Sequence, residues 1–244
     1  MKIVFFGNSG GIQGSSGGNT SFAVHTGQSL VLVDSSGSPL ENLAHSALNP
    51  ELIDALLLTH SHIDHIYALP SLIHNLWLSG RSRTLAIHSN RETLAKASEI
   101  IDVFGLRQKK AMFPIELNEC TDSSFEIKDL RITPFPVNHL VPATGFVFDD
   151  GSSRIACFAD CNSSTPIPDA ARSCSLMVHE AGIGGKPNHS SGREAGLAAK
   201  EAGALELLLV HLPQSPELRA RILSDARSVF RNTGIPVLFK EIEI

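Results

Sequence analysis

Apolar residues in this chain fall into short blocks divided by turns rich in glycine, serine, asparagine and proline. Short blocks bounded by such residues read as buried strands. Longer stretches with apolar positions three and four apart read as helices. Strands are therefore expected over residues 2–6, 20–26, 29–34, 54–59, 84–87, 125–135, 145–149, 153–159, 176–179, 206–210 and 236–240. Helices are expected over 38–47, 66–79, 91–104, 190–202 and 217–230. The strands at 20–26 and 29–34 form a hairpin around Gly27. Ser38 stands as an N-cap with Pro39 in the first turn, and Gly105 and Gly203 close the helices before them. This order fits two sheets sandwiched by helices better than one parallel sheet. The fold class expected is α/β (α+β), as one domain over residues 1–244.

Composition narrows the setting. The 244 residues suffice for a large core, and 42% hydrophobic with 18% charged residues is an ordinary globular balance. A net charge of -5 gives no global attraction to nucleic acid or anionic membranes. No apolar run approaches the ~18 residues of a membrane span. Cys120, Cys157, Cys161 and Cys174 form no C-x-x-C pair and no evident disulfide framework, which implies a reducing, cytoplasmic setting. The glycine-rich stretch 7–19 lacks both the Gly-Lys-Ser/Thr ending and the G-x-G-x-x-G spacing of nucleotide loops. It reads as a turn that can border a site and bring backbone close to a ligand.

The strongest chemical signal is His60-Ser61-His62-Ile63-Asp64-His65, placed directly after the strand expected at 54–59. Imidazoles and carboxylates are good ligands for zinc and similar metals. In an extended turn His60 and His62 project to one side and can share a cation. Asp64 and His65, turning into the next helix, can face a neighbouring one. Further ligands are needed. His139 follows the strand-like stretch 131–137, Asp160 follows 153–159, and His211 follows 206–210. Each is a polar residue at the C-terminal end of an apolar strand.

The series Asp34, HSHIDH, His139, Asp160 and His211 resembles the five motifs of the metallo-β-lactamase superfamily over nearly the whole chain. The resemblance implies a four-layer αββα sandwich and two divalent metal ions, zinc foremost, with manganese or iron as alternatives. It implies one metal on His60, His62 and His139, another on Asp64, His65 and His211, and Asp160 bridging them. Asp34 would orient the motif loop. The opening GNSGG and the segment His189-Ser190-Ser191-Gly192-Arg193-Glu194-Ala195, with Glu180-Ala181 upstream, resemble the ribonuclease Z and phosphodiesterase branch. That implies His189 as proton donor to a leaving group, Glu180 supporting it, and Asp64 and Asp160 holding a water activated by two metals in line with phosphorus. Glu194 reads instead as a helix-start residue suited to the dipole.

The pattern also departs from that branch. Ala159-Asp160-Cys161 replaces the usual Gly-Asp-Thr, and Cys161 reads as a small buried residue. Only 21 positions separate His139 from Asp160, leaving no room for the long tRNA-gripping arm of bacterial ribonuclease Z. A small or cyclic phosphodiester, or another nucleic-acid-derived substrate, is thus favoured over tRNA, and relatives of this branch imply a homodimer. Two alternatives stand beside it: hydrolysis of a carbonyl substrate (lactone, thioester or β-lactam), and a non-catalytic metal-binding member. A di-iron redox centre fits less well, because such relatives replace a motif histidine with an acid and His62 is retained. His25, His45, His74 and His88 read as structural or surface residues. Trp77 with Leu72, Ile73 and Leu76 reads as a packing face, and Arg81 and Arg83 as solvated.

Overall fold

A computed structural model of the chain describes all residues except 15, 16, 122, 159 and 183–186. The first half runs β1 (Lys2–Ser9), β2 (Gly18–Asn19), β3 (Ser21–His25), β4 (Leu30–Val33), α1 (Pro39–His45), β5 (Ala55–Leu57), α2 (Ile63–Ile66), α3 (Leu69–Leu78), β6 (Leu85–Ser89), α4 (Arg91–Val103) and β7 (Ile115–Glu119). The second runs β8 (Phe125–Ile127), β9 (Leu130–Val137), β10 (Ala143–Asp149), β11 (Arg154–Phe158), β12 (Leu176–Glu180), α5 (Gly192–Ala202), β13 (Glu206–Val210), α6 (Pro216–Arg227), β14 (Thr233–Gly234) and β15 (Glu241–Glu243). One sheet has the order β15-β1-β3-β4-β5-β6-β7, with β2 on β1. The other has the order β14-β13-β12-β11-β10-β9-β8.

Side-chain alternation along these strands explains the layering. In β1, Val4 and Phe6 face α1, α3 and α4, in a cluster with Leu43, Leu72 and Leu94. Ile3 and Phe5 point the other way, into a second cluster with Phe146, Phe148, Leu176 and Val178 of the opposite sheet. The far face of that sheet presents Ala156, Met177 and Leu207 to Ala195 and Ala199 of α5 and to Ile222 and Ala226 of α6. Strands apolar on both faces therefore build a four-layer αββα sandwich. The small residues of α5 permit close approach. A Cβ on Gly196 would lie 2.8 Å from the Ala226 carbonyl oxygen.

Several expected boundaries shift, each for a local reason. The helix expected over 66–79 is two helices, because Pro70 sits in the first turn of α3 and α2 begins earlier, at Ile63. The strand expected over 125–135 is a hairpin turning through Lys128, whose φ is 54°. Past Ile132, β9 pairs with no strand on its outer side among the described residues, and its prolines 134 and 136 occupy that edge. The half-polar edge strand β7 was not expected. No strand forms over 236–240, where Phe239 has φ 61°; the chain pairs with β1 only from Glu241. The end of the strand expected over 153–159 and part of the loop 7–19 lie outside the described residues. Ser38 flanks α1, but its side chain makes no capping hydrogen bond. The four cysteines are free. No helix among the described residues is long and apolar enough to cross a membrane.

Arg81 overturns its expectation of solvation. It is only 2% exposed, and its guanidinium donates to the carbonyls of Arg83 (2.9 Å), Ile53 (2.8 Å) and Thr84 (2.9 Å). It ties the end of α3 to the entrance of β5. Arg83 is half-exposed and pairs with Asp54 at 2.6 Å. Arg81→Met should lower unfolding free energy by about 3 kcal/mol, because these buried carbonyls lose their donor; a denaturant titration measures it. His88 lies flat on Phe125, with ring centroids 4.4 Å apart, and burial pushes its pKa down to about 4. In the unfolded chain His88 protonates near its ordinary 6.5, so folding loses stability as pH falls from there toward 4. His88→Phe should remove that part of the slope, so the stability difference between variant and parent should change across this range when midpoints are measured against pH.

Candidate metal centre

The centre is assembled at one end of the sandwich from loops that leave strands of both sheets. β5 delivers Thr59, His60 and His62, and α2 turns Asp64 and His65 back toward them. His139 follows β9, Asp160 follows β11, Glu180 ends β12 and His211 follows β13. All seven metal residues expected from the sequence come together here. They form one group of His60, His62, His139 and Asp160 and another of Asp64, His65 and His211.

Hydrogen bonds fix which ring nitrogen of His65, His60 and His139 is turned inward. Asp34, 5% exposed and with φ 60°, accepts from the backbone N–H of Thr59 at 2.8 Å and from the His65 Nδ1 at 2.7 Å. His65 Nε2 is therefore the ring nitrogen turned toward the centre. It is buried with no hydrogen-bond partner among the described residues, 3.5 Å from Asp64 Oδ2 and 3.6 Å from Asp160 Oδ2. The Thr59 hydroxyl lies 3.0 Å from His60 Nδ1, which turns His60 Nε2 inward. Likewise His139 Nδ1 donates to the Asn188 carbonyl at 3.0 Å, leaving its Nε2 bare. Thr59 and Asn188 were not foreseen. Their signal was position alone: one immediately before the histidine motif, the other immediately before His189.

The inward nitrogens of His60, His62 and His139 then stand 3.0 and 3.2 Å apart around His62 Nδ1. Tetrahedral ligand atoms about 2.0–2.1 Å from a zinc ion are ~3.3 Å from each other. Asp160 Oδ2 faces both groups, 2.9 Å from His211 Nε2, 3.6 Å from His65 Nε2 and 3.9 Å from His60 Nε2. The electrostatics ask for positive charge at this spot. Burial alone would lower His211, yet Asp160, Asp64 and Glu180 raise it to about 10. His60, deeply buried and beside His65, falls to about 2 and offers a lone pair at any ordinary pH. An orphaned imidazole nitrogen, facing lone pairs and a shared carboxylate all fit divalent metal ions.

His189 lies beside both groups, its ring 5.1 Å from that of His139 and stacked on His211 at 5.4 Å. Its Nδ1 meets Glu180 Oε2 at 2.9 Å. Glu180 is fully buried, also accepts the backbone N–H of Cys161, and is raised to about 7 by burial. The hydrogen bond to Glu180 raises His189 in turn, so the two groups titrate together. His189 is also within 4.8 Å of ligand atoms on Asp160 and His211. Cys161 is buried, 3.6 Å from His179 Nε2. Glu194 forms a capping box with Ser191, as its helix-start reading required.

A family model described as a beta-lactamase superfamily domain matches residues 30–212, a span that begins at β4 just before Asp34 and ends just after His211. The chain belongs to the beta-lactamase superfamily. Within it, the chain is similar to ribonuclease Z of Bacillus velezensis, 23% identical with 100% of this chain and 99% of that protein aligned. Its structure is similar to the metallo-beta-lactamase fold protein YhfI from Bacillus subtilis, with a TM-score of 0.81, 25% identity and 99% of each chain covered. A diphosphatase from the PhnP family shares the fold, with a TM-score of 0.79, 18% identity and coverage of 100% of this chain and 97% of that one.

Metal affinity in this superfamily member should depend on the carboxylate beneath the motif loop. Asp34→Asn should weaken metal binding about 10–100-fold while the fold persists. Competition with a chelator, alongside circular dichroism, measures both.

Proposed function

We propose that the chain is a metal-dependent phosphodiesterase acting on a small or cyclic phosphodiester. The observation that carries this reading is His189, held by buried Glu180 at the edge of the two ligand groups. Hydrolysis of a phosphodiester expels an alkoxide, which needs a proton. A histidine kept protonated by a carboxylate beside the reacting centre is suited to supply it. Similarity to ribonuclease Z, whose name states phosphodiester chemistry, supports the reading.

In this proposal His60, His62 and His139 would hold one cation and Asp64, His65 and His211 a second, with Asp160 available to both and zinc the expected metal. Two divalent cations bound there would supply a water of lowered pKa and offset charge that builds on phosphoryl oxygens. Asp64 and Asp160 orient the attacking water in line with phosphorus. His189 donates to the departing oxygen, and Glu180 keeps its Nδ1 occupied and its ring in place. Asp34 holds His65 and Thr59 throughout.

The substrate is smaller than tRNA in this reading. The alignment to ribonuclease Z spans 308 positions against 244 residues here, so gaps in this chain total 64 positions (308 − 244). His139 and Asp160 are joined by the short segment of 21 positions already noted, and the net charge is -5. A single domain, a cytoplasmic location and a homodimer belong to the same proposal and rest on the cysteine usage and the family resemblance.

His189→Ala should reduce turnover of bis-p-nitrophenyl phosphate about 10²–10⁴-fold with metal content unchanged. Loss of metal in that variant would make His189 a ligand instead. Hydrolysis of a lactone panel without hydrolysis of the diester would replace the phosphodiesterase reading with the carbonyl one.

A further inference from the structure

His189 stands in a short stretch of chain, residues 187–191, that is tied at several points to the loop following β11. The Ser190 hydroxyl, in a residue only 1% exposed, donates to the Cys161 carbonyl at 2.9 Å. The Asn162 side-chain amide donates to the Pro187 carbonyl at 3.2 Å. Between these two tethers the Asn188 carbonyl accepts from His139 Nδ1 at 3.0 Å. The Ser190 carbonyl accepts from the Gly182 N–H at 2.8 Å, and Ser191 starts α5 through its capping box. The backbone on both sides of His189 is therefore held.

These contacts close a circuit. Ser190 holds the Cys161 carbonyl, the Cys161 N–H donates to Glu180 Oε1, Glu180 Oε2 lies 2.9 Å from His189 Nδ1, and a peptide bond joins His189 to Ser190. The circuit passes through the residue next to Asp160, so a shift of the Cys161 peptide moves the shared carboxylate and the support of His189 together. Asn162 acts from a braced position. Its N–H donates to the Asn138 carbonyl at 2.9 Å, and its Oδ1 accepts from the Ser164 N–H at 3.0 Å. The Asn138 amide in turn donates to the Ser164 carbonyl at 3.0 Å. The Asn162 amide thus reaches Pro187 from a loop that is itself fastened beside His139.

Building on the phosphodiesterase reading, we propose that Ser190 and Asn162 are positioning residues for the proton-donating step, clamping the His189 segment onto loop 160–162 so that the donor keeps its place relative to Asp160. The hydrogen bond at Nδ1 fixes the partner of the ring, not the backbone that carries it. Proton transfer works only within hydrogen-bond reach of the departing oxygen. A misplacement of ~1 Å there can cost ~10²-fold in rate. In the step served, a water oxygen bonds to phosphorus and the bond from phosphorus to the leaving oxygen breaks. His189 gives the proton on Nε2 to that oxygen and regains one from the proton that water releases. Without the Ser190 hydroxyl the Cys161 carbonyl loses its buried donor, and the peptide supporting Glu180 relaxes with it.

The test is a double-mutant cycle with His189 on the metal-loaded protein, using bis-p-nitrophenyl phosphate and measuring metal content in every variant. Ser190→Ala should lower kcat about 10-fold or more with KM little changed, and Asn162→Ala, at a half-exposed position, about 3-fold or more. In a His189→Ala background each should change kcat by less than about 2-fold, because the group they place is gone. A general structural role would give the same factor in both backgrounds. Equal factors in the two backgrounds, no loss of kcat in either single variant, or loss of metal from either overturns the positioning proposal and leaves the phosphodiesterase reading intact. If Ser190→Ala does not fold, the Asn162→Ala cycle decides by the same criteria. No hydrolysis of the diester by the parent overturns both.

Discussion

One carboxylate oxygen governs the arrangement. Asp160 Oδ2 is buried between two sets of imidazoles, within 3.9 Å of His60, His65 and His211. Asp160 and His60 are buried, so solvent satisfies their polar atoms poorly. Positive charge relieves this concentration of acceptors, and the protein commits its interior to presenting them. Asp34 beneath His65, Thr59 beneath His60 and Asn188 beside His139 each consume the outer nitrogen or its equivalent, so the inner one stays bare.

The sandwich serves this geometry. Strands apolar on both faces can be buried between the opposite sheet and the helices, which leaves their ends as the places where polar side chains can gather. β5 and β11 come from opposite sheets, yet their ends carry His60 and Asp160 to within 3.9 Å. The capping box that starts α5 fixes the segment bearing His189, and Arg219 of α6 fixes Asn8 and Ser9 of the glycine-rich stretch. Helices that look like covering elements thus brace the loops around the centre.

The centre was largely legible in the sequence because its residues follow a simple rule: each ligand-type side chain comes directly after an apolar block. His139, Asp160 and His211 obey it as fully as the HSHIDH run. Layering was legible too, since blocks such as Leu30–Val33 are apolar at every position. Elements that depend on distant partners were harder to read. β7 is half-polar because it lies at a sheet edge, so neither alternation nor a continuous apolar run announces it. Residues 236–240 look apolar enough for a strand, yet Val237 is exposed and the pairing partner is met only at Glu241. Arg81 follows a glycine in a polar run and reads as surface; its burial depends on carbonyls from the segment before β5, some thirty residues away. Thr59 and Asn188 act through hydrogen bonds to histidine rings, and no pattern of residue types marks such a role.

The central claim is that two cations sit side by side with Asp160 between them. Anomalous diffraction at the zinc edge, on crystals grown with zinc, tests it most directly. Two peaks are expected, one among His60, His62 and His139 and one among Asp64, His65 and His211, both in contact with Asp160. A single peak, or peaks elsewhere with Asp160 turned away from them, would contradict the account.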